Sequence, residues 1–120
     1  MELVIGGAYQ GKLTCVKKKY GFKKDEVFDL AGGFPDREYK CYTHLEALTR
    51  EWEDPHELIR LLLPYIKDSV VISREIGCGI VPMDPDERVM RERHGIALSL
   101  LAKEAEHVTR VFCGIEEKLK

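Results

Sequence analysis

The sequence lacks the signals that direct a chain into or across a membrane. Nothing in its 120 residues approaches 18 consecutive apolar positions, so no membrane-spanning helix is expected. The first residues also carry no charged region ahead of a long apolar run, which argues against a secretory signal peptide. We therefore expect a soluble protein that resides in the cytoplasm.

The sequence also lacks an excess of either charge. It has 19 Lys and Arg against 21 Asp and Glu, a formal net charge of -2. Nucleic acids and anionic membranes are bound through clustered positive charge, so neither is an expected partner. The short basic run KKKYGFKK is interpreted as the solvated face of a helix and its exit.

Paired cysteines are absent as well. The four cysteines are Cys15, Cys41, Cys78 and Cys113, and no two of them have the C-x-x-C spacing of a zinc site or a redox motif. In a reducing compartment such residues remain free thiols.

Short apolar runs and helix signals alternate along the chain, as in an α/β domain with a mainly parallel sheet. The length suits one domain over residues 1–120. The loop over residues 32–42 is expected to contain a short extended piece at Glu38 to Cys41. The predicted strands are Leu3–Ile5, Val27–Ala31, Ser69–Ser73 and Val108–Cys113, with an edge strand in the tail from Ile115.

Four helices are predicted between the strands. The first contains Leu13, Val16 and Tyr20 and ends at Gly21. The others begin with capping signals, namely the T-x-x-E box Thr43–Glu46, Asp54-Pro55 and Asp84-Pro85. The third is expected to end or bend at Pro64, and the last to run over Asp86–Glu106.

A glycine-rich turn follows the first strand and leads into the first helix. It reads GGAYQGKLT, close to the phosphate-binding pattern G-x-x-x-x-G-K-[ST]. At such a junction backbone N–H groups surround phosphates and the lysine contacts the β and γ phosphates. The predicted nucleotide-binding residues are Gly6, Gly7, Ala8, Tyr9, Gln10, Gly11, Lys12, Leu13 and Thr14, with Lys12 also predicted to be catalytic.

The hydroxyl that normally ligates magnesium is missing from this turn. Leu13 occupies its position, and Thr14 lies about 100° further round the helix. Thr14 would serve only if the loop is remodelled or if Mg²⁺ is held through waters. Glu75, just beyond the strand VVIS, is the second catalytic candidate and a further candidate contact for Mg²⁺, unless it simply pairs with an arginine such as Arg74.

The segments GGAYQGK and EIGCGIVP together resemble the bacterial adenosylcobinamide kinase/adenosylcobinamide-phosphate guanylyltransferase family. The resemblance covers about the first 30 and the last 50 positions. It implies a P-loop NTPase-like three-layer fold, GTP or ATP as ligand, a cobinamide-like acceptor and a homo-oligomer. It also implies anion contacts from Arg88 and Arg91, although helix arginines are more often surface ion pairs.

The middle of the chain departs from that family. The family is longer after the second strand, where its members carry the histidine that accepts the guanylyl group. Only His44 and His56 lie nearby here, outside any matching motif, and both are interpreted as surface residues. Lys40 stands where the family has a magnesium-binding aspartate.

Two functions therefore remain open. The first is a nucleotide-binding protein that retains a kinase step but not guanylyl transfer. The second is a degenerate P-loop protein with a binding or structural role and no turnover. Thr14 or an acidic group facing the loop would favour the kinase, whereas Lys40 in that place would favour binding alone.

Overall fold

The structure is a computed structural model, and it describes residues 1–7, 10–75 and 84–120. It is an α/β domain with one six-stranded sheet in the order β2-β3-β4-β1-β5-β6. The strands are β1 Glu2–Gly6, β2 Val27–Asp29, β3 Cys41–Thr43, β4 Val70–Arg74, β5 His107–Phe112 and β6 Ile115–Lys118. The helices are α1 Lys12–Tyr20, α2 Leu45–Glu51, α3 Pro55–Ile66 and α4 Pro85–Glu104.

The sheet is mainly parallel, as the alternation of elements predicted. Strand β1 pairs in parallel with β4 on one side and β5 on the other. Only β6 runs antiparallel, against β5. The carboxyl ends of β1, β3 and β4 therefore meet at one edge of the sheet.

Helices cover both faces of the sheet, which gives the expected three layers. On one face Val4 and Ile72 pack with Val16 of α1. On the other face the larger cluster includes Leu3 and Val71 together with side chains of α2, α3 and α4. Successive residues of a strand thus enter opposite cores, which explains why these strands are continuous apolar runs.

Several element ends follow from capping residues that the sequence displays. Asp54 accepts hydrogen bonds from the backbone N–H groups of His56 and Glu57, and Asp84 accepts one from Asp86. Gly21 adopts the left-handed conformation after α1. These three predicted boundaries are confirmed.

Other boundaries differ from prediction. The second strand ends at Asp29, whose side chain caps a 3₁₀ turn over Leu30–Gly32. The extended piece expected at Glu38 to Cys41 lies a little later, at Cys41–Thr43. Helix α3 continues through Pro64 to Ile66, so Pro64 does not end it.

The capping box predicted at Thr43 is also wrong. His44 occupies the N-cap of α2, in a left-handed conformation with φ of 59° and without a side-chain capping bond. Thr43 is instead the last residue of β3. Among the described residues, no helix is both long and apolar enough to cross a membrane.

Candidate functional site

A cleft of about 380 Å³ opens at the carboxyl edge of the sheet, where α1 and α2 begin. In α/β proteins this is where ligands bind. The cleft combines one lysine, one arginine, one glutamate, one histidine and several hydroxyl groups. Its lining residues are Gln10, Gly11, Lys12, Leu13, Thr14, Thr43, His44, Glu46, Ile72, Ser73 and Arg74.

Two glycines shape the approach to the cleft. A Cβ at Gly6 would lie 2.5 Å from the carbonyl oxygen of Val111, so β1 and β5 approach too closely there for any side chain. Gly11 has a φ of +85°, which L side chains rarely adopt, and it directly precedes the first residue of α1. Gly6 thus allows the close approach of β1 to β5, and Gly11 allows the backbone to enter α1.

Lys12 lies at the start of α1, in the cleft. Its Nζ donates a hydrogen bond to the carbonyl oxygen of Gly7, 2.7 Å away. Partial burial lowers the pKa of Lys12, the nearby Glu46 carboxylate acts to raise it, and Arg74 lowers it further. The ammonium group is thus held across the glycine-rich loop, with two charged neighbours.

The loop is also attached to the turn between β5 and β6. The Cys113 N–H donates to Oε1 of Gln10 at 2.6 Å, and the Gly114 N–H donates to the Gln10 carbonyl oxygen at 3.0 Å. These contacts fix Gln10 on the side of the loop that faces β5. The predicted loop residues Ala8 and Tyr9 lie outside the described residues.

Thr14 and Lys40, the two positions that bear on magnesium binding, lie far apart. Thr14 is exposed and lines the cleft, beside Leu13. Lys40 precedes β3, at the opposite edge of the sheet, where its Nζ lies 2.7 Å from a Glu26 carboxylate oxygen. The lysine that reverses the charge of the family's aspartate is therefore not a neighbour of the loop.

Glu46 is an acidic cleft residue that sequence reasoning did not identify. It was assigned to the capping box, but its Oε2 instead accepts a hydrogen bond from the Arg74 backbone N–H at 3.2 Å. This bond joins the first turn of α2 to the end of β4. The T-x-x-E pattern includes Glu46 but does not predict its position in the cleft. The pairing of β3 with β4 places Glu46, at the start of α2, beside the end of β4.

Glu75 lies next to the loop, as its place after β4 predicted. Its N–H donates to the Gly6 carbonyl oxygen at 2.8 Å, and its carboxylate forms an ion pair of 3.2 Å with Arg110. The pairing residue is thus Arg110 rather than Arg74. The rest of the segment EIGCGIVP lies outside the described residues.

The helix arginines lie further along the chain. Arg88 is exposed on the first turn of α4, and Arg91 is half-buried three residues later. Neither belongs to the lining given above for the cleft. Their anion contacts stay a prediction.

The histidines differ sharply in environment. His44 is exposed but lines the cleft, and its Nδ1–H donates to the Asp29 carboxylate at 2.9 Å. His56 is exposed at the start of α3, 3.6 Å from Asp54. His44 is therefore the histidine with a defined orientation at the site.

His94, on α4, lies directly beneath the cleft and is completely buried. Its Nε2 is 2.6 Å from the carbonyl oxygen of Arg74, and its Nδ1 is 2.8 Å from Oγ1 of Thr49. A carbonyl only accepts, so Nε2 carries the proton and Nδ1 accepts from Thr49. Burial lowers the pKa of His94, which keeps the ring neutral.

Oxygen donors at the cleft suit a magnesium ion that is held mostly by waters and phosphates. One carboxylate, from Glu46, and the hydroxyls of Thr14 and Thr43 line it. Within the described part of the chain, no group of three or more His, Cys, Asp or Glu residues could hold a metal by itself. One carboxylate and two hydroxyls are too few donors for Mg²⁺ alone, so waters or a ligand would have to complete its coordination.

The sheet order, the glycine-rich turn and the lysine at the head of α1 define a P-loop NTPase-like α/β protein. The family model described as cobinamide kinase / cobinamide phosphate guanyltransferase matches residues 42–119 of the chain. The chain belongs to this family, which confirms the resemblance. No curated protein matches the chain.

The family match covers one side of the cleft. Residues 42–119 include Thr43, Glu46, Arg74, Glu75 and Arg110. The glycine-rich turn and Lys12 precede the matched range. Their assignment to a phosphate site consequently depends on the pattern and geometry of this chain.

Proposed function

We propose that the protein binds the triphosphate of GTP or ATP in the cleft and transfers the γ-phosphoryl group to a cobinamide-like alcohol. The observation that carries this proposal is the convergence of Lys12, Glu46 and Thr14 on one cleft at the start of α1. Membership of a family described as a cobinamide kinase supports the reaction class.

Phosphate binding would use the cation and the backbone of the loop. The Lys12 ammonium now donates to the Gly7 carbonyl, and a phosphate oxygen is a stronger, charged acceptor. The N–H groups at the start of α1 have no intrahelical acceptors and favour an anion. Lys12 would then stabilise the negative charge that shifts toward the leaving diphosphate.

In the transfer itself, the acceptor oxygen forms a bond to the γ-phosphorus as the bond to the β-γ bridging oxygen breaks. The nucleoside diphosphate leaves with the electron pair. Glu46 is the cleft carboxylate that can take the proton of the acceptor hydroxyl. Glu75 forms an ion pair with Arg110, so its catalytic role stays a prediction. Thr14 and Thr43 would hold Mg²⁺ through waters, and the ion would supply charge neutralisation on the phosphates.

The position of Lys40 favours a kinase over a protein that binds nucleotide without turnover. Lys40 pairs with Glu26 at the far edge of the sheet, so it places no positive charge in the magnesium region. An acidic side chain, Glu46, is present there instead. Both features are those expected of a kinase.

A specific observation also favours a second candidate, guanylyl transfer through His44. The contact with Asp29 holds the proton on Nδ1, which leaves Nε2 with a free electron pair as a nucleophile at the cleft. Attack on the α-phosphorus of GTP would form an N–P bond and release pyrophosphate. The left-handed backbone of His44, with φ of 59°, is the kind of strain that occurs at functional sites.

One incubation distinguishes these functions. The protein is mixed with cobinamide, Mg²⁺ and either γ-labelled or α-labelled GTP, with ATP in parallel. Label transfer from the γ position to cobinamide supports the kinase, and α label that stays on the protein and is lost in His44→Asn supports guanylyl transfer. Nucleotide binding with no transfer of either label contradicts both and leaves the non-catalytic role.

A further inference from the structure

Arg74 is the last residue of β4, and it lies beside the first glycine of the loop. In the parallel pairing of β1 with β4, the Cα of Gly6 is the partner of the Cα of Arg74. The next residue continues this contact, because the N–H of Glu75 donates to the Gly6 carbonyl oxygen at 2.8 Å. Arg74 therefore lies at the carboxyl edge of the sheet, where the chain leaves β1 for the glycine-rich turn.

The direction of the Arg74 side chain follows from the alternation of residues along β4. Ile72 packs in the apolar cluster that α1 covers, whereas Ser73 points to the other face, where its Oγ lies 3.1 Å from Nε2 of His94. Arg74 comes two residues after Ile72, so its side chain projects on the face of α1. Lys12 is the first residue of α1, and both Lys12 and Arg74 line the cleft.

The backbone of Arg74 is held from both sides. Its N–H donates to Oε2 of Glu46 at 3.2 Å, and its carbonyl oxygen accepts from Nε2 of the fully buried His94 at 2.6 Å. The side chain of Arg74 is exposed, and it forms no ion pair with the carboxylates that the structure describes. A guanidinium on such a fixed base is available to an anionic ligand.

The charges of Arg74 and Lys12 repel each other in the cleft. Burial is the main cause that lowers the pKa of Lys12, the Glu46 carboxylate acts to raise it, and Arg74 lowers it further. The single carboxylate of Glu46 can balance only one of these two cations. A polyanion between them would remove the repulsion and balance the second charge.

We propose that Arg74 binds the γ-phosphoryl group of the nucleoside triphosphate and stabilises it during transfer. This inference rests on the proposed function and adds a residue to the same site. The γ group has to lie near Glu46, the proposed base, and Arg74 is bonded to Glu46 through its own N–H. A planar guanidinium also offers two parallel N–H donors, which match two oxygens of a terminal phosphate.

Arg74 would act through its charge and would transfer no proton, because a guanidinium stays protonated in proteins. As the acceptor oxygen bonds to the γ-phosphorus, the bond to the β-γ bridging oxygen breaks and the nucleoside diphosphate leaves with the electron pair. Arg74 would hold oxygens of the moving phosphoryl group while Lys12 contacts the leaving diphosphate. An arginine in this role accelerates phosphoryl transfer by about 10³–10⁵-fold.

Titration with triphosphates and diphosphates tests the contact separately from the reaction. GTP, GDP, ATP and ADP, each with Mg²⁺, are titrated calorimetrically into the wild type, Arg74→Ala and the control Arg60→Ala. Arg60 is an exposed arginine of α3 that pairs with Glu57 and lies outside the cleft lining. Arg74→Ala should weaken triphosphate binding about tenfold or more and diphosphate binding less than about threefold, because only the triphosphate carries the γ group.

Transfer of γ label to cobinamide is the second measurement. It should fall at least about a hundredfold in Arg74→Ala and stay at the wild-type rate in Arg60→Ala. Arg74→Lys keeps the charge but loses the two parallel donors, so it should restore triphosphate affinity more fully than the rate. Circular dichroism should show the wild-type fold in each variant, because the hydrogen bonds to Glu46 and His94 use the backbone of Arg74.

The outcomes separate this inference from the proposed function. A wild type that binds no nucleotide contradicts both. If the wild type transfers the γ label and Arg74→Ala behaves like Arg60→Ala, the kinase stands and the role of Arg74 is overturned. Equal losses of triphosphate and diphosphate affinity would also overturn it, because Arg74 would then contact another phosphate. Selective loss of triphosphate affinity, in a protein that transfers no label, would support the γ-phosphate contact and contradict the kinase.

Discussion

The Cβ that Gly6 lacks would lie 2.5 Å from the carbonyl oxygen of Val111, so the carboxyl end of β1 touches the backbone of β5. Backbone cannot move aside as a flexible side chain can. We therefore expect Gly6→Ala to destabilise the fold by about 1–3 kcal/mol, through the strain of an overpacked contact. Denaturant unfolding monitored by circular dichroism measures this change.

Gly7→Ala is the matched control for Gly6→Ala. A Cβ at Gly7 would meet only the side chain of Gln10, at 3.7 Å, which is an ordinary contact. Its free energy of unfolding should stay within about 0.5 kcal/mol of the wild type. Equal losses in the two variants would contradict the close approach of β1 and β5.

The carboxylate of Glu46 supports a second prediction. Glu46→Gln keeps an oxygen that can accept from the Arg74 N–H, but it removes the group proposed to take the acceptor proton. Phosphoryl transfer should fall by about a hundredfold or more, the usual effect of losing a general base, while nucleotide affinity changes much less. Steady-state kinetics with cobinamide and GTP or ATP separate the two effects.

Glu51→Gln, at the exposed end of α2, controls for the loss of a charge on the same helix. It should retain wild-type turnover. If Glu46→Gln were as active as this control, Glu46 would have no part in the chemistry and Glu75 would become the carboxylate to test.

The sheet and most helix boundaries could be predicted because their causes are local. The runs at β1 and β4 are apolar on both faces, Asp54 and Asp84 cap their own helices, and Gly21 ends α1 without any distant contact. Short β3 was misplaced by a few residues because only three residues define it and their burial comes from neighbouring strands. Pro64 failed as a stop signal because α3 is held by its buried apolar face.

Only some residues of the cleft could be predicted, because only some of them are placed by contacts that are local in the sequence. Lys12 and Gly11 stand in a recognisable local pattern. Glu46 and His94 reach the site through the pairing of β3 with β4 and the packing of α4 on α2, and these contacts have no signature in the sequence around either residue. An expected capping box even assigned Glu46 a different role.

Buried His94 predicts a pH dependence of stability. Burial lowers its pKa in the folded state below the ordinary value of 6.5, so the unfolded chain binds more protons as the pH falls. The contribution of His94 to stability is complete above about pH 6.5 and is lost as the pH falls toward the lowered folded pKa. Urea unfolding between pH 5 and pH 7.5 should show this decline.

Replacement of His94 tests the origin of that decline. His94→Gln should lower stability at pH 7.5 by about 1–3 kcal/mol, because buried hydrogen bonds to Thr49 and Arg74 are disrupted. It should also flatten the pH dependence below pH 6.5. The exposed His56→Gln should leave both unchanged; a pH profile of His94→Gln that matches the wild type would show that another group titrates.

The most direct test of the central claim is calorimetric titration of GTP and ATP, with and without Mg²⁺, into the wild type and Lys12→Ala. Lys17→Ala, an exposed lysine on the same helix, is the control. We expect micromolar binding, about -8 kcal/mol, that weakens at least about tenfold in Lys12→Ala only and depends on Mg²⁺. Absence of heat for both nucleotides at millimolar concentration would contradict the account and leave the glycine-rich turn as a purely structural element.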